Sequence, residues 1–149
     1  MTRKVLELFK EYNIPFQMLT KGGYRAKRDF DLYKKGDAFA STLTFLNNRK
    51  SLLWEPKAAI PFERINTLKT AHDLGIETWA SLEPVIDPLE TLAIIENTHE
   101  FIDLFKVGTL NYNEHALTID WIKFRNDVVV LLNKLGKKYY LKKDLLDKI

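Results

Sequence analysis

No cysteine occurs among the 149 residues. That absence excludes a disulfide framework, a thiolate nucleophile and any cysteine-ligated metal or iron–sulfur cluster built from this chain alone. No window approaches the roughly 20 apolar residues that a membrane-spanning helix needs. The opening run MTRKVLELFKEYN is amphipathic and charged rather than a signal peptide, so the expected location is the cytoplasm, with no membrane partner. A strong charge of one sign is also lacking. With 23 Lys and Arg against 20 Asp and Glu the net charge is +3, which permits phosphate contacts without requiring them. His72, His99 and His115 are scattered, without the spacing of a metal site. No internal repeat, low-complexity run or linker is evident. What is present, 46% hydrophobic and 29% charged residues, is the composition of an ordinary globular protein. Its length fits a single α/β domain, residues 1–149, with a real core.

Residues 2–12 carry Val5, Leu6, Leu8, Phe9 and Tyr12 at the spacing of one helix face. Residues 14–20 (IPFQMLT) read as a first strand, closed by the turn Lys21-Gly22-Gly23. Residues 24–35 suit a short helix ended at Gly36, and 37–45 (DAFASTLTF) form a second strand. Residues 47–61, with turn residues and two prolines, predict a long irregular loop. Pro61 opens a helix that stops at Gly75. The stretch IETWASLEPVID follows, a buried strand that delivers Glu83 to a loop ended by Pro84 and Pro88. Asp87-Pro88 caps the next helix, with Leu89, Leu92, Ile94 and Ile95 expected inside. Residues 101–107 form a fourth strand closed by Gly108, and 117–135 the longest helix, stopped by Gly136. Residues 138–141 suit a fifth short strand and 143–149 a last helical turn. Trp79 and Trp121 are expected in the core rather than as stacking platforms.

Strands and helices alternate, which argues for parallel strands joined by right-handed crossovers. Four or five βα units amount to roughly half to two-thirds of an eight-unit barrel of about 250 residues. Either a small doubly wound sheet or an incomplete parallel (β/α) barrel, preceded by an N-terminal helix, satisfies the pattern. Fully covered parallel strands should be almost continuously apolar. Here the period of two collects Gln17 and Lys21, Thr42 and Thr44, Ser81 and Glu83, and Lys106 with Gly108 on one side. Phe16, Met18, Phe39, Leu43, Phe45, Leu82, Phe105 and Val107 take the other. A hollow lined with hydroxyls, a carboxylate and ammonium groups suits a polar ligand; a hydrogen-bonded core with snorkelling lysines is the competing reading.

The segments FQMLTKGGYRAKRDFDLY, STLTF, LLWEPKAAIPFERINTLKTAHDLGIETWASLEPVIDPLETLAII and KVGTLNY together resemble the later half of radical S-adenosylmethionine proteins, specifically the group like spore photoproduct lyase and DNA-repair photolyase. The most specific pieces are the TK after the first strand, the WEP block running to SLEPV, and VG..NY. The resemblance implies a partial (β/α) barrel of which these are the third to sixth strands, lyase chemistry in DNA repair, and S-adenosylmethionine as cofactor. It implies Lys21 near the methionine carboxylate, Thr42 and Thr44 on the strand that meets ribose and methionine, Ser81 and Glu83 beside the cofactor, and Gly108 to Asn111 near adenine. It also implies a [4Fe–4S] cluster held by a three-cysteine loop on earlier strands. Because this sequence has no such loop, the cluster is expected only from a missing N-terminal part, and the chain alone is expected to be inactive.

Three further readings follow from the residues. An incomplete barrel leaves its first strand as an open edge, so self-association or pairing with a missing N-terminal half is expected. Arg25, Lys27, Arg28, Arg49 and Lys50 suit a nucleic-acid backbone, although a solvated surface explains them at least as well. Glu55 is either a substrate contact or an organiser of its loop through Arg64, and the second is favoured. A hydrolase or phosphate-binding fold is weak: Lys21-Gly22-Gly23 lacks a P-loop's spacing and neither Ser41 nor Ser81 lies in a nucleophile elbow.

Overall fold

The computed structural model describes residues 1–148; the last residue of the expected terminal turn, Ile149, lies outside them. Helix α1 (Thr2–Glu11) comes first, then strand β1 (Gln17–Thr20), a 3-10 segment (Gly23–Leu32) and strand β2 (Ala38–Thr42). Helices α2 (Asn48–Trp54) and α3 (Pro61–Asp73) lead to strand β3 (Glu77–Leu82), helix α4 (Pro88–Thr98) and strand β4 (Leu104–Val107). Helix α5 (Trp121–Lys134), strand β5 (Lys138–Leu141) and helix α6 (Lys143–Leu146) complete the order. No helix among the described residues is long and apolar enough to cross a membrane.

The five strands form one sheet in the order β1-β2-β3-β4-β5, each parallel to its neighbour. This decides between the two topologies open to the sequence. A doubly wound sheet reverses its strand order to place helices on both faces. Sequential order, with crossovers of a single hand, leaves all the connecting helices on one face, as in a partial barrel. The packing agrees. Phe39, Leu43, Ala80, Leu82, Phe105 and Val107 form the main core with Leu68 and Ala71 of α3, Ile94 and Ile95 of α4, and Phe124, Val128 and Leu132 of α5. A separate small cluster, Ala38, Ala40 and Trp79 with Leu104, lies on the opposite, concave face.

Local chemistry sets the boundaries. Asp87 accepts hydrogen bonds from the backbone N–H groups of Leu89 and Glu90 while Pro88 occupies the first turn of α4. Gly75 and Gly136, at φ of 77° and 64°, end α3 and α5 in the left-handed conformation that side chains disfavour.

Two expectations are corrected and two are refined. Residues 47–61 are not one irregular loop: Asn47 accepts from the N–H groups of Arg49 and Lys50 and caps α2, and the prolines follow that helix. The short helix expected over residues 24–35 is a 3-10 segment spanning Gly23–Leu32. Leu89 is 77% exposed, because its first-turn position on α4 faces away from the sheet. Trp121 lies in the main core, and Trp79 is buried as expected, in the small core cluster on the concave face, where the ammonium of Lys106 lies 3.6 Å from its ring centroid.

Candidate functional site

The strand register fixes which polar groups meet. Thr42 lies beside Ser81, Ser81 beside Lys106, and Lys106 beside Tyr140, so one row of the concave face runs hydroxyl, hydroxyl, ammonium, phenol. One row lower, towards the strands' N-terminal ends, are Ala40, Trp79, Leu104 and Lys138. Beyond the upper row the chain leaves the strands at the rim, where α/β barrels keep their chemistry. Lys21, Thr44, Glu83 and Gly108 emerge there from β1, β2, β3 and β4 in turn.

The β1–β2 side of the rim is a buried ion network. Arg64, 1% exposed, donates from Nε to the Ala59 carbonyl at 2.8 Å, from Nη1 to the Thr42 carbonyl at 2.9 Å, and from Nη2 to Ser51 Oγ and Glu55 Oε2, each at 2.8 Å. Thr44 Oγ1 donates to the same Glu55 oxygen at 2.7 Å. The other oxygen, Oε1, lies 2.7 Å from Lys21 Nζ but has no well-aligned hydrogen bond, so Lys21 acts on it as an off-axis charge. Burial pushes the Glu55 carboxyl up; the Arg64 hydrogen bond, the Lys21 ammonium and the Thr44 hydroxyl outweigh it and hold the group below the usual glutamate value. Glu55 is therefore the loop organiser the sequence favoured. Of the residues expected to meet a cofactor, Thr44 is committed to this network, while Lys21 keeps a side chain 43% exposed. A cavity of about 580 Å³ continues outward from Lys21, lined also by Arg25, Lys57 and Glu63.

The β3–β4 side is more open. Glu83 directly follows β3, and its side chain is 34% exposed with Lys142 Nζ 3.3 Å from Oε2. Gly108 makes room for it: a Cβ at 108 would stand 2.8 Å from the Glu83 carboxylate. The Gly108 N–H donates to the Leu82 carbonyl at 3.2 Å and its own carbonyl accepts from Val85 N–H at 3.0 Å, so the two loops are stitched together. Asn111 Oδ1 accepts from Thr109 Oγ1 at 3.0 Å, and Asn111 Nδ2 donates to Asp144 Oδ2 at 2.8 Å. Lys142 and Asp144 thus enter the rim from the segment after β5. Sequence reasoning missed both.

The structure brings together Lys21, Thr42, Ser81, Glu83, Gly108 and Asn111 along consecutive strand ends. The side chains of Thr42, 6% exposed, and Ser81, 7% exposed, make no hydrogen bond among the described residues. The basic surface residues are largely committed elsewhere. Lys50 pairs with Asp87 and Glu90 at 2.8 and 3.1 Å, Arg28 with Asp29 at 3.3 Å, and Lys27 bonds Asn66 at 3.2 Å.

Fold and site define an incomplete parallel (β/α) barrel with its polar groups along the C-terminal rim of the strands. No family model matches the chain. It is 27% identical, over 146 residues, to an uncharacterized protein of Methanocaldococcus jannaschii, covering 95% of this chain and 56% of that protein. Its fold is similar to Streptococcus suis SuiB bound to S-adenosylmethionine, with a TM-score of 0.74 and 13% identity over 94% of this chain and 36% of that one. SuiB bound to its precursor peptide SuiA gives a TM-score of 0.72 over 94% and 34%. The chain therefore spans little more than half of its curated relative and about a third of these structures, and the second likeness is one of fold. That fold is the partial barrel the sequence resemblance implied.

Proposed function

We propose that this chain is the S-adenosylmethionine-side wall of a radical S-adenosylmethionine protein like spore photoproduct lyase, acting on nucleic acid. The observation that carries the reading is the rim itself: a half-exposed ammonium at Lys21, a part-exposed carboxylate at Glu83 and two unpartnered hydroxyls at Thr42 and Ser81 on adjacent strand ends. These groups fit the cofactor's carboxylate, ammonium and ribose. When bound, S-adenosylmethionine supplies an activated sulfonium centre; this chain's residues bind and orient it. Glu83 would accept from the ammonium while Lys142 aims its carboxylate.

An iron–sulfur cluster does not fit this chain. It has no cysteine, and the described residues contain no group of three or more His, Asp or Glu side chains placed to hold a metal. The radical chemistry of the group thus belongs to a cysteine-bearing part outside these residues, and the chain alone is expected to be inactive.

The test is calorimetric titration of the chain with S-adenosylmethionine. Measurable binding, weakened about tenfold or more by Glu83→Gln and by Lys21→Met, supports the reading, since each loses a charge-assisted contact. No binding at millimolar cofactor overturns it. A second reading, a non-catalytic assembly module, is favoured by the open β1 edge, where Leu19 is 46% exposed. A strictly monomeric species by light scattering over a wide concentration range speaks against self-association.

A further inference from the structure

Beside the Thr42 and Ser81 hydroxyls, which the cofactor reading shares, the concave face holds an ammonium and an indole N–H that this reading does not use. Lys106 Nζ lies over the Trp79 ring and has no hydrogen-bond or ion-pair partner among the described residues. Trp79 is more than nine-tenths buried, yet its Nε1–H has no acceptor. Beside them the Thr42 and Ser81 hydroxyls make no hydrogen bond among the described residues, and Lys138 adds a second cation one row lower. The acidic side chains on this face, Glu77 and Glu83, follow the same period of two but stand at its opposite ends, and Glu83 is engaged by Lys142. The middle of the face therefore holds an ammonium and an indole N–H for which the described residues supply no acceptor. A buried donor left unpaired costs about 1–3 kcal/mol, and the ammonium beside it is left free to take an anion from outside the chain. The floor around it, Ala40, Trp79 and Leu104, is apolar and small.

We propose that this face is a subsite for the oxyanion group of a substrate, a carboxylate or phosphate, bound by Lys106 with help from the Thr42 and Ser81 hydroxyls, while Ala40, Trp79 and Leu104 receive its apolar body. The proposal rests on the cofactor-wall reading for its place in a reaction. Its physical content does not need the cofactor. The ammonium is held in place by the indole ring instead of a carboxylate, so no competing anion must be displaced when the ligand arrives.

The test follows the indole N–H resonances of the 15N-labelled chain while acetate or inorganic phosphate is added at constant ionic strength, with chloride as the reference. Trp121 Nε1 already donates to the Ala116 carbonyl at 2.9 Å and serves as an internal standard. The Trp79 signal is expected to move saturably with acetate, with phosphate or with both, and the arm that saturates first identifies the source. Lys106→Met should weaken the response about tenfold or more, Lys106→Arg should retain it, and Ser81→Ala should weaken it about threefold. Folding of each variant is read from the dispersion of the remaining resonances, and the Arg variant and Ser81→Ala keep the test decisive if the Met variant unfolds. A Trp79 signal that ignores both anions, or responds equally with and without the Lys106 charge, overturns the subsite. Because S-adenosylmethionine is absent throughout, failure here is distinct from failure of the cofactor titration.

Discussion

The two sides of the rim carry the same kinds of charged groups and use them differently. Around β1 and β2 the Glu55 and Arg64 side chains are 8% and 1% exposed, and every guanidinium nitrogen finds an acceptor. Around β3 and β4 the Glu83 and Lys142 side chains are 34% and 42% exposed and meet at 3.3 Å. The first pair holds the chain together. The second leaves a solvated carboxylate facing the hollow, where a ligand can compete for it. Degree of burial, more than residue type, separates the structural carboxylate from the binding one.

The sharpest way to break this contrast is Arg64→Met. It leaves the buried Glu55 carboxylate with only the part-exposed Lys21 ammonium and the Thr44 hydroxyl, and strands the carbonyls of Thr42 and Ala59. A loss of about 3–5 kcal/mol is expected from urea unfolding, and pairing it with Glu55→Gln should recover part of the loss in a double-mutant cycle. A loss under about 1 kcal/mol would show that the network is ornamental.

Acid gives the next largest effect. Glu55 is held below its ordinary value of 4.5 and Asp87 below its own 3.8. At Asp87 burial works upward, and the Lys50 ammonium with the N–H groups of Glu90 and Leu89 outweighs it. For both, the native state binds the proton less readily than the unfolded chain. Their stabilisation is complete above the unfolded values and disappears as pH falls through the folded ones. Unfolding midpoints should decline as pH drops below about 4.5, the ordinary glutamate value, and Glu55→Gln should flatten part of that decline. An unchanged profile in that variant would locate the acid sensitivity elsewhere.

Much of this arrangement is legible in the sequence, and the exceptions are physical. The two-residue period across STLTF, TWASLE and FKVG assigns Thr42, Ser81 and Lys106 to one face, and the strand register then aligns them in one row. Glu55 and Arg64 also read correctly, because an Arg nine residues from a buried loop carboxylate has few other roles. Helix α2 was hidden because Pro56 and Pro61 made the whole interval look broken, although the Asn47 cap was there to see. Trp79 reads correctly as buried, but that its face carries no helices follows only from sequential strand order, a three-dimensional fact. Lys142 and Asp144 reach Glu83 and Asn111 by bending back from β5, a long-range contact for which local pattern holds no signal.

On the open side, Lys142→Ala is expected to change stability by no more than about 1 kcal/mol, as an exposed ion pair should. It should nevertheless weaken S-adenosylmethionine binding, because Glu83 loses the partner that aims it. A stability loss as large as that of Arg64→Met would collapse the distinction between the two sides.

The smallest and most discriminating change is Gly108→Ala. Its backbone does not require glycine: Gly108 is not among the glycines with positive φ. The added methyl would stand 2.8 Å from the Glu83 carboxylate. Glu83 is solvated at its far end, so it can swing aside, and the stability cost should stay within about 1 kcal/mol. Its position over the rim, however, would be lost. If Glu83 is a binding carboxylate, Gly108→Ala should weaken the cofactor about as much as Glu83→Gln does, and combining the two should add little. If the substitutions weaken binding independently, or if Gly108→Ala leaves it unchanged, the glycine is not there to admit the carboxylate.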